Sequence, residues 1–363
     1  MRTLTLSFTL STLSALVLAG CGAGSSGSAD DETAGGSAAA GLHASGSRIL
    51  DANGKAVRLL GVNRSGTEYS CIQNKGFFDG PSDQASITAM MGWKANAVRV
   101  PLNEDCWLAI NGAPAQYSGA AYQKAISDYV DLLLQNGIYP IVELQWSAPG
   151  TTQATGANPM PDQDHSITFW SQVAAAFASR GNVVLELFNE PYPDSNQDTT
   201  AAWKCWRDGG SCPGVSYPAA GMQDLVTAVR AAGAKNLVLL GGVQYSNALS
   251  HWVDYEPTDP EGNLAAAWHV YDFNDCNSTS CYEKGAASVV AKAPIVATEI
   301  GEQDCAGGFV TTLTGWLDQK GQSYLGWTWD TWGGCLVLVA DYSGTPAGTY
   351  GRTYKAHLLA TPH

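Results

Sequence analysis

Leu187-Phe188-Asn189-Glu190-Pro191 closes one short apolar run, and Ile295-Val296-Ala297-Thr298-Glu299-Ile300-Gly301 closes another. Each run reads as a buried parallel strand stopped by Pro or Gly. A carboxylate at the end of a buried strand costs free energy unless it has partners or work to do. Two of them imply an acid and a nucleophile facing each other across a barrel mouth. That is the arrangement glycosidic-bond hydrolysis needs.

Further apolar runs lie at 57–62, 97–100, 139–144, 237–240, 266–271 and 324–329, beside those at 183–188 and 295–299. Helical periodicity fills most of the gaps, as in Ala121-Ala125-Tyr129-Leu132-Leu133 and Met222-Leu225-Val229. Eight buried strands separated mainly by helices predict an α/β fold, a single (β/α)8 TIM barrel. An open doubly wound sheet competes, but no Gly-rich phosphate fingerprint follows any run. Ile49 to Leu60 reads as an N-terminal hairpin across Ala52-Asn53-Gly54, because Asn-Gly favours the turn that matches strand twist. No internal repeat or second domain is evident.

Composition narrows the function. Of 363 residues, 45% are hydrophobic and only 14% charged, while 40 Gly, 12 Trp and 15 Tyr suit a secreted enzyme with long loops and aromatic surfaces. A net charge of −14 repels nucleic acid and acidic polymers, so a neutral substrate fits better. Six His without an HxH pair, and Cys without a CxxC, argue against a metal site.

Arg2 and the apolar stretch Leu4 to Leu18 have the form of an export signal too short and Ser/Thr-rich to span a membrane. The stretch ends in Leu18-Ala19-Gly20-Cys21, which resembles the lipobox of bacterial lipoproteins. That resemblance implies a signal peptide over 1–20 and a lipidated Cys21. It implies anchoring to the membrane at the extracellular or periplasmic face of the cell envelope. An ordinary cleaved signal with an incidental Cys is the alternative. The Gly/Ser/Ala-rich segment that follows cannot bury enough apolar area to order itself, so 21–45 is expected to be a tether and 46–363 the barrel.

Nine Cys become eight once Cys21 is set aside, and an even set in an exported chain reads as disulfides. Close spacing suggests Cys205–Cys212 and Cys276–Cys281 as local staples. Cys71–Cys106 and Cys305–Cys335 would then tie neighbouring loops.

In such a barrel the site lies at the C-terminal ends of the strands. The residues there are Arg99-Val100-Pro101, Gln145-Trp146, Asn189-Glu190-Pro191, His269-Val270-Tyr271, Thr298-Glu299 and Trp327-Thr328-Trp329. At these positions the chain resembles glycoside hydrolase family 5, from about Ser47 to Leu359. The resemblance implies a retaining mechanism: Glu190 protonates the leaving oxygen and later activates water, and Glu299 forms the glycosyl-enzyme. Arg99 and the Tyr271 hydroxyl would keep Glu299 ionised, Asn189 would hydrogen-bond the sugar 2-hydroxyl, and His269 would line the cleft near both glutamates. Trp329 would lie beneath the cleaved sugar.

Blander readings stand beside these. Arg99 could neutralise Glu143 or Glu186, two acids that read as structural, and His269 could be a core histidine. Trp146, Trp332, Trp107 and Tyr245 fall in or near strand-end loops, where flat rings can stack on the apolar faces of sugars or simply pack. One departure matters: the family usually shows a histidine where this chain has Gln145, which hydrogen-bonds but carries no proton. His165 could fold back to substitute, or belong to the start of the next helix with Ser166 as its N-cap.

The expected function is therefore a monomeric β-glycosidase without cofactors, acting on a neutral β-linked polysaccharide, foremost as an endo-β-1,4-glucanase. A β-mannanase, a β-1,3-glucanase and an exo-β-glucosidase are alternatives within the class. A non-catalytic, carbohydrate-binding surface lipoprotein is the alternative outside it. A serine esterase lacks its GxSxG elbow.

Overall fold

The computed structural model describes residues 41–362; the signal over 1–20, Cys21 and the tether up to residue 40 lie outside the described residues. Three short antiparallel strands come first: β1 His43–Ser45, β2 Arg48–Leu50 and β3 Ala56–Val57. The expected hairpin is present as β2 and β3, but residues 43–45, expected to belong to the tether, already form a strand of this sheet. Leu42 is buried, and β1 pairs with β2 through His43–Leu50 and Ser45–Arg48.

Eight parallel strands then close a barrel: β4 Leu60–Asn63, β5 Ala97–Asn103, β6 Tyr139–Trp146, β7 Val184–Glu186, β8 Val238–Gly241, β9 Leu264–Tyr271, β10 Ile295–Gly301 and β11 Ser323–Gly326. Closure comes from β11 pairing with β4. Gly61 permits the approach of β4 to β5, since a Cβ there would fall 1.8 Å from the Ala97 carbonyl oxygen.

Side chains along a strand alternate between its two faces, and this period sorts the barrel interior into layers. Ala97, Ile141, Val184, Leu239, Ala267, Val296 and Leu325 form one apolar cluster with Leu42 and Ile49 of the N-terminal sheet, which closes the lower end. Two residues further along the same strands come Arg99, Glu143, Glu186 and His269, all fully buried. The second, larger cluster lies between strands and helices. In the helix Ala120–Gln135 it takes Tyr122, Ile126, Tyr129, Val130 and Leu133, a face rotated from the expected Ala121-Ala125 stripe. Met222, Leu225 and Val229 are buried as expected.

All four suggested disulfides form: Cys71–Cys106, Cys205–Cys212, Cys276–Cys281 and Cys305–Cys335. The first joins the end of the short helix Thr67–Ser70 to the short helix Glu104–Leu108, and the last joins the loops that follow β10 and β11. No helix among the described residues is long and apolar enough to cross a membrane.

Candidate active site

The layer of Arg99 is polar because four strands deliver ionisable groups to it at the same height. Arg99 donates through Nε to Glu186 Oε2 at 2.6 Å and through Nη1 to Glu299 Oε1 at 2.6 Å, and its Nη2 stands 3.4 Å from Glu143 Oε1. It therefore neutralises core acids and contacts Glu299 at once, so both readings of its role describe one side chain.

A register shift in β10 between Val296 and Glu299 breaks the alternation. As a result two consecutive residues reach the interior. Thr298 donates to Glu186 Oε1 at 2.8 Å, while Glu299 takes the Arg99 ion pair and accepts from the Tyr271 hydroxyl at 2.5 Å.

Glu190 sits just past β7 on a turn pinned from three sides. The Asn189 amide donates to the Leu144 carbonyl, Trp170 Nε1 donates to Leu187, and Ser246 Oγ donates to the Asn189 carbonyl at 2.8 Å. His269 Nδ1 lies 2.9 Å from Glu190 Oε1 and 3.6 Å from Glu299 Oε2, and its Nε2 lies 3.2 Å from Thr298 Oγ1. Carboxyl oxygens of Glu190 and Glu299 fall within 4.8 Å of each other. Both line a pocket of about 390 Å³ with Gln145, Asn189, Tyr245, Tyr271, Phe273, Asn274, Trp327 and Leu336.

Opposed electrostatic effects act on Glu190 and its neighbours. Burial, reinforced by the charge of Glu299, raises the Glu190 carboxyl above its ordinary range, although His269 opposes the shift. Burial alone would lower His269, but Glu299, Glu186 and Glu190 outweigh it and push the imidazole up to about 9. At neutral pH His269 is thus a cation that donates from both nitrogens. Burial also disfavours charge on Glu186, yet Arg99 and His269 together hold it below the ordinary carboxylate range.

Trp329 requires a correction. It is fully buried, packs edge-on against Trp93 at 4.9 Å between ring centres, and does not line the pocket. The cause is that β11 ends at Gly326, after which the strand period no longer applies. The Trp329 amide bonds Asn63, its ring turns away from the barrel mouth, and Trp327 takes the pocket position. Trp107 is also buried, against Tyr122, Phe169 and Phe177. Trp146 instead stands half-buried beside Tyr69, which also faces the exposed Trp332, at ring-centre distances of 6.3 and 6.2 Å.

His165 does not fold into the site. It occupies the N-cap position of the helix Ser166–Phe177 without a side-chain capping bond, its Nε2 lying 2.8 Å from the Gly150 carbonyl, and Ser166 is the first helical residue rather than the N-cap, its hydroxyl donating to Glu104. Asp162, Asp164 and His165 are close enough together to suggest a cation, but loop hydrogen bonds engage all three. Phe273, Asn274 and Leu336 were not anticipated in the pocket. They sit on loops whose paths follow from the Cys276–Cys281 and Cys305–Cys335 bridges and from Asp272 accepting the Gln303 and Asp304 amides.

Two carboxyl groups this close at the mouth of a (β/α)8 barrel are the arrangement of a retaining O-glycosyl hydrolase, and this chain is one. Residues 50–333 match the family Cellulase (glycosyl hydrolase family 5), and the chain belongs to it. It is similar to a mannan endo-1,4-beta-mannosidase of Streptomyces lividans, 24% identical over 85% of this chain and 70% of the relative. A manganese-dependent endoglucanase of Phanerodontia chrysosporium is 28% identical over 62% of this chain and 55% of the relative. A Saccharophagus degradans beta-glucanase solved with cellotetraose superposes with a TM-score of 0.67 at 19% identity, over 88% of this chain and 93% of that one.

Proposed function

We propose that Glu190 is the general acid/base and Glu299 the nucleophile, and that the chain is an endo-β-1,4-glucanase. The observation that carries the assignment is the asymmetric environment of the pair. Glu299 is held by the two donors Arg99 and Tyr271, which suits an ionised nucleophile. Glu190 is pushed toward its protonated form by burial and by Glu299, which suits an acid. Once Glu299 is glycosylated its charge is gone, the push weakens, and Glu190 can take a proton from water. Asn189 is assigned to the sugar 2-hydroxyl, and Trp327 to the apolar face of the same sugar.

Three features support a neutral polymer. Arg99 and His269 are the cations beneath the pocket and both are already engaged by acids, which leaves none for a uronic acid. Tyr69, Trp146 and Trp332 offer ring faces on one side of the mouth, and the pair Tyr192–Tyr245, 4.5 Å between ring centres, offers them near Glu190. Such surfaces suit a chain of several sugars better than a single one.

A second reading, cleavage of β-1,4-mannan, draws on the named activity of the Streptomyces lividans relative. Initial rates on soluble β-1,4-glucan, β-1,4-mannan and β-1,3-glucan, with viscosity followed against reducing ends, test the choice. Faster turnover of mannan than of glucan would replace the first reading by the second. A drop in viscosity that lags behind reducing ends would make the enzyme exo-acting.

Export with a lipid anchor at Cys21 belongs to the same proposal and is supported by the four disulfides, which need an oxidising compartment. Labelling of the full chain with a fatty-acid analogue, lost in Cys21→Ser, is the expected result. Equal labelling of both forms would remove the anchor.

A further inference from the structure

Donor and acceptor roles in the Arg99 layer propagate in one direction. Arg99 has only donors, so the atom of Asn189 that meets its Nη2 at 2.9 Å must be the carbonyl Oδ1. Asn189 Nδ2 therefore faces Gln145, and Gln145 must present its own carbonyl oxygen there, 2.8 Å away. The Gln145 amide nitrogen is then turned to Glu143 and donates to its two oxygens at 3.0 and 3.2 Å. Glu143 returns to Arg99 through the 3.4 Å contact, which completes a ring of four side chains.

The NH2 group of Gln145 is taken up by Glu143 and its carbonyl accepts from Asn189, although the side chain lines the pocket. Asn189 differs. Its carbonyl is held by Arg99, but its NH2 group has two hydrogens and Gln145 takes one. The second is left for a ligand. We infer that Gln145 is a positioning residue: it locks the Asn189 amide with its NH2 group toward the pocket and so governs recognition of the sugar 2-hydroxyl without touching the sugar. This rests on the assignment of Asn189 proposed above.

The position needs a neutral group that accepts on the Asn189 side and donates on the Glu143 side. Leucine does neither. Glutamate accepts from Asn189 but sets a carboxylate against Glu143. A neutral histidine has one nitrogen of each kind and can restore both bonds.

The test measures kcat and KM for an aryl β-cellobioside and for its analogue lacking the 2-hydroxyl on the sugar next to the aglycone. Wild type, Gln145→Leu, Gln145→His, Asn189→Ala and the double variant Asn189→Ala/Gln145→Leu are compared. Asn189→Ala is expected to erase the preference for the 2-hydroxylated substrate, roughly 10²-fold in kcat as for the loss of one oriented donor. Gln145→Leu is expected to erase most of the same preference, lowering kcat more for the 2-hydroxylated substrate than for the 2-deoxy one. Gln145→His should restore it, and the double variant should be no worse than Asn189→Ala.

If Gln145→Leu lowers both substrates equally, or its loss adds to that of Asn189→Ala, the inference fails while the Asn189 assignment stands. If Asn189→Ala keeps the preference, the assignment and the inference fall together. Thermal melting reports whether each variant is folded. Should Gln145→Leu melt below the assay temperature, Gln145→Met, of nearly the same length but without the amide, is read in its place, with the same expected loss.

Discussion

His269 donates from Nδ1 to Oε1 of Glu190 across 2.9 Å. The same nitrogen stands 3.6 Å from Glu299. One buried cation thus touches both carboxyl groups, and it acts on Glu190 against the direction in which burial and Glu299 push it.

That opposition gives a pH test. Activity requires a protonated Glu190, so the alkaline limb of kcat/KM follows the loss of its proton. His269 favours the ionised form of Glu190, and removing it must raise the pH at which the proton leaves. His269→Asn is expected to cut kcat by about 10²-fold and to move the alkaline limb to higher pH. A limb that stays or moves down would show that His269 does not bear on Glu190.

Trp327 and Trp329 separate recognition from packing. Trp327→Ala removes a pocket wall and is expected to lower kcat/KM with little change in Tm. Trp329→Ala empties a fully buried site against Trp93 and is expected to cost about 3–5 kcal/mol of stability. Steady-state kinetics and thermal melting of both variants check this, and reversed outcomes would restore Trp329 to the sugar-binding surface.

Asp330 gives a stability test at the same rim. It is buried, accepts from Ser65 Oγ at 3.2 Å and the Tyr342 hydroxyl at 3.1 Å, and neighbours Asp79, which pairs with Arg64 at 2.6 Å and accepts from Tyr69. Burial first, then the hydrogen bond and charge of Asp79, push Asp330 up to about 7 from 3.8. A carboxyl raised by folding contributes most below its unfolded value, and the contribution is lost as pH rises through the folded value. Asparagine mimics the protonated form at every pH. The Tm of Asp330→Asn minus that of wild type should therefore grow as pH rises from about 4 to about 8. A difference that is flat or shrinks over that range would refute the raised Asp330 carboxyl.

Much of this was legible in the sequence because a parallel barrel buries both faces of its strands, so each strand marks itself as a continuous apolar run. The glutamates stood out for the complementary reason, as charges where the run ends. Other features left no such mark. His43–Ser45 is too short and too exposed to be told from a tether. Trp329 was misplaced because nothing in Trp327-Thr328-Trp329 shows that the strand stops at Gly326. Gln145 read as a sugar contact because its spacing places it in the pocket, whereas its amide is spent on Glu143 and Asn189, partners visible only once three strands are assembled. Phe273 and Leu336 reach the pocket from loops, where path rather than periodicity decides.

The central claim is that Glu299 attacks the sugar while Glu190 handles the proton. A 2-deoxy-2-fluoro aryl β-glycoside slows the second step of a retaining enzyme and lets the covalent intermediate accumulate. Proteolysis and fragment mass analysis of the inactivated enzyme should place the added fluorosugar on the Glu299 carboxyl, within the peptide containing Thr298-Glu299-Ile300. A label on Glu190, or on any residue outside that peptide, would contradict the account.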